Sequence, residues 1–268
     1  MPWFDKVFTR FECCRYTANR LVAVRHGQRW FRNIHCNTQE HVEFIDTAFE
    51  DDYSMYVNGF TIDWARFRDE VGYPPVSVLK MTEYSRWCKE HLIPVMHDYI
   101  GTKDLVFDVD GRDGTPLAVV GAVALRIMDY LDEHGMPYHV MFSGRKGYHI
   151  VADDMERYLD DYKVNMLGSS LQSLSYGAIA LAQSVLDDAL VGDVYVDHAG
   201  QGRSYDDVNI DFSPMYPQGV RKAAYSITNH GTIALPVGRS ELRHVDSIDY
   251  YRPEPVLQNY KIKGRGIP

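Results

Sequence analysis

The sequence predicts an α+β protein with a mainly antiparallel central sheet flanked by helices. Three observations carry that expectation. Apolar runs and helical periodicities follow one another as strand, helix, hairpin, helix and strands, not as the regular alternation that builds a parallel sheet. Two short β-rich runs, Tyr138–Phe142 and Tyr148–Ala152, flank a Gly-containing turn, as hairpin strands do. The 268 residues, 45% of them hydrophobic and 24% charged, suffice to bury a core without disulfide or metal staples.

Each element has a local reason. Leu21 to Phe31 sets β-branched and aromatic residues around a Gly turn, a hairpin pattern. Thr38 precedes apolar residues at Val42, Phe44, Ile45 and Phe49, which predicts a short capped helix. A strand is expected from Tyr53, in YSMYV. Residues 79–93 place Met81, Tyr84, Trp87 and Leu92 on roughly one side and predict a helix. Leu105–Asp110 is a strand ending in acid.

Thr115-Pro116 then supplies a cap and a proline at the first helical position. Leu117, Val120, Ala124, Ile127 and Leu131 follow at helical spacing, and Gly135 suits a left-handed stop. A helix is expected over Leu167–Val191. Strands follow at Val194–Val196 and Val208–Phe212, with a pair near Ala224–Ile227 and Thr232–Val237. No repeat, low-complexity segment or long linker interrupts the chain. One domain is expected over 1–268: an N-terminal α/β part (1–100), a core (101–245) and a tail (246–268).

No apolar run approaches the ~20 residues needed to span a bilayer, which excludes a helical membrane protein. The opening MPWFDKVFTRFECC lacks the apolar centre of a signal peptide. Four cysteines, Cys13, Cys14, Cys36 and Cys88, are too few and too bunched for a secreted disulfide framework, so a cytoplasmic protein with free thiols is expected. The net charge of −9 excludes a surface coated with basic residues. Yet residues 1–36 carry +5, and Arg15, Arg20, Arg25, Arg29 and Arg32 are expected to send several side chains to one face, either a patch that meets a phosphate backbone or a solvated basic face.

Chemistry concentrates in three places. In Phe107-Asp108-Val109-Asp110, strand alternation sends both carboxylates to one face. Their repulsion falls if a hard divalent cation sits between them, although an Asp-x-Asp by itself is common. A third acid, Asp211, lies in the apolar strand Val208–Phe212, where it either completes a two-metal set or caps the turn at Ser213-Pro214. Asp104, Asp113, Asp197 and Asp207 compete for the same role. Between the acids, Gly144 and Gly147 permit a tight turn whose amides can face an anion. Arg145 and Lys146 add charge, and Ser143 and His149 add hydrogen-bonding side chains. It is not a Walker loop.

FDVD, then SGRKGYHI 33 residues after Asp110, then NIDF, resembles the three motifs of the archaeo-eukaryotic primase superfamily. The likeness continues through YPQGVRKAAYSITNHGTIALPV and covers roughly residues 100–245. It implies a primase-polymerase core and template-directed nucleotidyl transfer from nucleoside triphosphates. Asp108, Asp110 and Asp211 would hold two Mg²⁺ or Mn²⁺ ions. Ser143, Arg145, Lys146 and His149 would bind the triphosphate, with Lys222 and Ser226 completing the pocket.

The partners implied are single-stranded DNA template, nucleoside triphosphates and, for a replicative primase, a large subunit or helicase. A primase catalytic subunit or primase-polymerase is the leading expectation, with a gap-filling end-joining polymerase or a non-catalytic nucleic-acid-binding relative as alternatives. The chain departs from the family at Thr228, where histidine is usual, with His230 two positions on. Zinc is not expected, because the adjacent Cys13 and Cys14 lack the spacing of a zinc pair.

Overall fold

A computed structural model describes residues 19–35, 39–49, 53–72, 83, 86–152, 171–190, 194–196, 202–205, 207–228 and 230–256. The N-terminal part opens with the expected hairpin, β1 (Leu21–His26) and β2 (Arg29–His35), followed by helix α1 (Gln39–Phe49). Strand β3 (Ser54–Asn58) pairs with β1, and β12 (Val220–Lys222) pairs with β3, giving a four-stranded antiparallel sheet in the order β12-β3-β1-β2. Val22, Val24, Met55 and Val57 fill its inner face.

A second sheet carries the core. Strands β6 (Leu105–Gly111), β7 (Tyr138–Phe142), β8 (Gly147–Ala152), β9 (Val194–Val196), β10 (Gly202–Tyr205) and β11 (Val208–Asp211) lie in the order β7-β8-β6-β11-β10-β9. Every pairing in it is antiparallel. Helix α3 (Leu117–Glu133) packs on β6 and β8, and α4 (Leu171–Ala189) packs on β6 and α3. Leu117, Val120, Ala124, Ile127 and Leu131 are all buried, as their spacing requires. The mainly antiparallel α+β architecture is therefore present.

The two sheets are continuous through short strands. Chain leaving β3 passes Gly59 into β4 (Phe60–Ile62), which pairs with β5 (Ile100–Lys103), and Asp104 then leads into β6. Helix α2 (Trp64–Glu70) follows β4 and is capped by Asp63. At the junction Arg20 grips the fully buried Asp104 through two hydrogen bonds of 2.6 and 3.0 Å, and Arg221 lies 3.5 Å away. Arg221 also donates to the Asn58 carbonyl at 2.8 Å, and the buried Lys103 ammonium donates to the Met215 carbonyl at 2.8 Å. Arg20 thus ties the sheets together and does not belong to an exposed basic patch. Removing one member of such a buried pair costs about 3–5 kcal/mol, because the other charge is left without its partner.

Four expectations need correction or restriction. Helix α3 begins at Leu117 with Pro116 in the cap position, and the Thr115 hydroxyl instead donates to the Asp207 carbonyl at 3.2 Å. Gly135 does end that helix at φ +64°, with Met136 N–H donating to the Leu131 carbonyl. Within 79–93 the chain forms a π turn, Cys88–Leu92, while Met81 and Tyr84 fall outside the described residues. Ala224–Ile227 and Thr232–Val237 form an irregular ladder and not paired strands, because Tyr225 adopts φ +65°. Tyr225 N–H still donates to Ala234, and Ala234 N–H to Ser226. Thr38 and residues 167–170 and 191 lie outside the described residues, as do Arg15, Cys13, Cys14 and Cys36. Helix α5 (Arg239–His244) closes against α3. No described helix is long and apolar enough to cross a membrane.

Candidate active site

Strand β6 sets the register of the site. Phe107 and Val109 are fully buried on one face, so alternation leaves Asp108 and Asp110 half-buried on the other. Asp108 stands opposite His149 on β8 and opposite Asp211 on β11. Asp110 stands opposite Gly147 and Asn209. The three aspartates predicted from two separate motifs therefore come together on one sheet face. Gly147 is required there: a Cβ at this position would lie 2.0 Å from the Val109 carbonyl oxygen and 2.5 Å from Asp110 Oδ1.

The electrostatics suit a cation. Burial, then the charge of Asp108, pushes the Asp110 carboxyl up to about 6 from its ordinary 3.8, against the opposing pull of Lys146 and His149. Lys146 Nζ lies 3.5 Å from Asp110 Oδ2. His149 Nε2 lies 3.3 Å from Asp108 Oδ1 but makes no hydrogen bond to it, and Asp108 Oδ1 and, on the other side of the ring, His149 Nδ1 are each buried without a hydrogen-bond partner. A buried carboxylate oxygen with no donor is what a hard divalent cation satisfies.

Asp211 does both things weighed for it in sequence. It faces Asp108, and it caps the following turn, accepting from Ser213 N–H at 2.8 Å and from the Ser213 hydroxyl at 2.6 Å. With Asp211 turned onto Ser213, no three described His, Cys, Asp or Glu side chains converge into a ready-made metal cage. The competing acids sort themselves by environment. Asp104 is consumed by Arg20, Asp113 and Asp207 are exposed, and Asp197 lies outside the described residues.

The glycine turn between β7 and β8 is held from behind. Gly144 takes φ +98°, and a Cβ there would come within 2.1 Å of Thr228 Cγ2. The Thr228 hydroxyl donates to the Gly144 carbonyl at 3.1 Å, and Thr232 donates to the same oxygen. Thr228, the departure from the family pattern, thus fixes the turn and accepts the His230 N–H at 3.1 Å. Within the turn Ser143 N–H donates to Gly147 at 2.9 Å, and the Ser143 side chain is half-buried.

His230 is exposed, and its imidazole is pushed below its ordinary value by burial, then by the charges of Arg145 and Lys222. The electrostatic influence of Arg145 and Lys222 on His230 sets the three side chains in one neighbourhood. Lys222 donates to the Tyr56 hydroxyl at 2.6 Å and lies 4.0 Å from the centre of its ring. Burial, then Arg25, lowers the Lys222 ammonium to about 7. Ser226 is placed differently. It is buried, its oxygen accepting from Met55 N–H at 2.8 Å, so it supports β3.

Sequence reasoning missed Asn209, whose Oδ1 accepts from Ser204 at 2.7 Å beside Asp110. Its spacing, two before Asp211, was the available signal. It also missed Tyr56, which nothing in the sequence distinguishes from a core tyrosine.

Residues 81–265, more than half of the chain, match the family described as LigD, primase-polymerase domain. Among solved structures the chain is similar to the polymerase domain of Mycobacterium tuberculosis ligase D in complex with DNA. Identity is 17% and the TM-score 0.57, over 98% of this chain and 86% of that one, a likeness of fold. No curated protein matches the chain. With its three aspartates gathered on one sheet face and its motifs in order, the chain belongs to the LigD primase-polymerase domain family, within the archaeo-eukaryotic primase superfamily, and is a DNA-directed nucleotidyltransferase.

Proposed function

We infer that the chain is a gap-filling polymerase of the end-joining type, which extends a DNA primer across a template from nucleoside triphosphates. The family it belongs to favours this reading over replicative priming. The observation that carries the chemistry is the register of Asp108 between His149 and Asp211, beside the Gly144 turn. The solved relative holds DNA, which supports a DNA template and primer as partners here. Neither a primase large subunit nor a helicase is required by this reading.

Divalent-metal dependence is general in the family. Asp108, Asp110 and Asp211 would hold the ions, Mg²⁺ or Mn²⁺, through hard carboxylate oxygens. When bound, such ions supply charge neutralisation for in-line phosphoryl transfer. The protein's own groups position the reactants. Arg145 and Lys222 offer cationic charge to the triphosphate, His230 offers an imidazole for hydrogen bonding, and the Gly144–Gly147 turn offers backbone amides. Lys146, 3.5 Å from Asp110, and His149, 3.3 Å from Asp108, offset the repulsion of the two carboxylates and would meet the triphosphate from the turn and from β8. Ser143 flanks the turn, and Ser226 holds β3, and with it Tyr56, at the site's edge.

The deciding experiment supplies three DNAs with labelled nucleotides and Mn²⁺ or Mg²⁺: unprimed single strand, primed template and gapped duplex. Extension of the primer, filling the gap, is expected. New short strands on unprimed DNA would overturn the gap-filling reading in favour of priming.

A further inference from the structure

The outer face of the four-stranded sheet continues past Tyr56 and Lys222 to a feature the polymerase reading does not use. Alternation along β3 places Asn58 on the same face as Tyr56, opposite Val220 on β12. Beside it opens a cavity of about 450 Å³, within the roughly 300–1,000 Å³ of small-molecule sites. Its depth is apolar and buried, formed by Ala23, Phe60 and Met96. Its mouth is exposed and polar, with Arg32 on one side and Gln172 of α4 on another.

Asn58 is the informative residue. It is only 4% exposed, it lines the cavity, and neither its carboxamide nitrogen nor its oxygen has a hydrogen-bond partner. A buried amide with both ends unsatisfied is unfavourable for folding alone. Its backbone carbonyl is already taken by Arg221, so the backbone of Asn58 serves the sheet junction while its side chain does not. Arg32 is held at the mouth, with Nη1 3.2 Å from the Gln218 carbonyl and its guanidinium 5.0 Å from the centre of the Trp30 ring.

We propose that this cavity is a nucleotide-binding pocket that takes an adenine base, with the Asn58 carboxamide pairing to adjacent donor and acceptor atoms of the ring and Arg32 meeting the phosphate at the mouth. Apolar walls suit a planar heterocycle. The carboxamide presents one donor and one acceptor side by side, the complement of adenine N7 and N6. Guanine shows two acceptors on that edge and would leave the amide oxygen unpaired. The pocket is separate from the carboxylate site and needs no divalent ion, so it stands whether or not the gap-filling reading does.

The test is calorimetric titration of the whole protein, in EDTA and without DNA, with AMP and with inosine monophosphate. AMP is expected to bind, and inosine monophosphate, whose oxygen replaces the amino donor, about tenfold more weakly. Asn58→Leu should weaken AMP about tenfold while leaving thermal stability equal or higher, because it removes two unsatisfied atoms. Ala23→Leu, which fills the buried end of the cavity and leaves the Asn58 amide in place, should weaken AMP as well and carries the test if the first variant does not fold. Absence of AMP binding at millimolar concentration, equal binding of the two nucleotides, or affinity undiminished in a folded variant would each overturn the proposal.

Discussion

Asp108 Oδ1 and His149 Nε2 face each other across β6 and β8 at 3.3 Å without forming a hydrogen bond. The distance brings the pair close, and the poor alignment leaves the carboxylate oxygen in need of another partner. Asp110, one alternation further along, feels the charge of Asp108 directly. The site is therefore electrostatically strained as an isolated protein and relieved by a bound cation.

That strain should be measurable without turnover. The Asp110 carboxyl is raised to about 6 in the folded chain, above its ordinary 3.8. Its ionisation therefore opposes folding, and stability falls as pH rises from about 4 through about 6, with the full deficit above that. Asp110→Asn should raise stability at neutral pH in EDTA by an amount on the order of 3 kcal/mol, and the gain should vanish below pH 4. Added Mg²⁺ should stabilise the parent and not the variant, while Asp108→Asn and Asp110→Asn both abolish nucleotide transfer. Thermal denaturation across pH, with and without metal, checks it; a variant with parental turnover would remove these residues from the site.

Lys146 and His149 should separate in kinetics. His149 projects from a buried strand position, whereas Lys146 is half-exposed in the turn. His149→Ala is expected to raise the KM for triphosphate more than Lys146→Ala does, each with a parental fold by circular dichroism. Steady-state kinetics on a primed template decides between them, and a larger effect of Lys146 would reverse the assigned order.

Lys222 makes a pH prediction with a defined sign. Burial and Arg25 lower its ammonium to about 7, so it loses its proton as pH rises through that value. The charged form favours triphosphate binding, and affinity should fall between pH 7 and pH 9, by about tenfold where that charge contributes ~1.4 kcal/mol. Lys222→Arg, which stays charged, should flatten that dependence. A parent whose triphosphate affinity is constant over this range would exclude Lys222 from the phosphate contacts.

Much of this site was legible because strand alternation is a local rule. FDVD in an apolar run specifies that Asp108 and Asp110 share a face, and Gly147 and His149 follow at the same period on the neighbouring strand. What separated Asp104 from Asp211 as the third acid was not local. Arg20 and Arg221, remote in the chain, converge on Asp104 and hold its carboxylate in the sheet junction, whereas the pairing of β11 with β6 sets Asp211 opposite Asp108. The same remoteness hid β12, three residues long, whose pairing with β3 brings Lys222 onto Tyr56. Propensity likewise could not show that Tyr225 would take a left-handed conformation and break the expected pair of strands.

The basic N-terminal surface gives the last prediction, now narrowed by the fold. Arg20 is buried in the sheet junction, and Arg25 and Arg32 flank the exposed Trp30, at 5.9 and 5.0 Å from its ring centre. Trp30 in turn lies 4.8 Å from the Tyr56 ring that Lys222 contacts. Cations interleaved with an exposed aromatic ring suit a single strand, which offers phosphates to the first and base faces to the second. Removing the charge of Arg25 and Arg29 together should weaken template binding and lower the slope of log affinity against log salt by ~0.7 for each phosphate that is no longer neutralised. Trp30→Ala should weaken the same binding with little change in the salt slope, since stacking releases no counterions. Fluorescence anisotropy of a labelled single strand across a salt series separates the two effects. A slope unchanged by removal of both arginines would show that this face is solvated and that the template runs elsewhere.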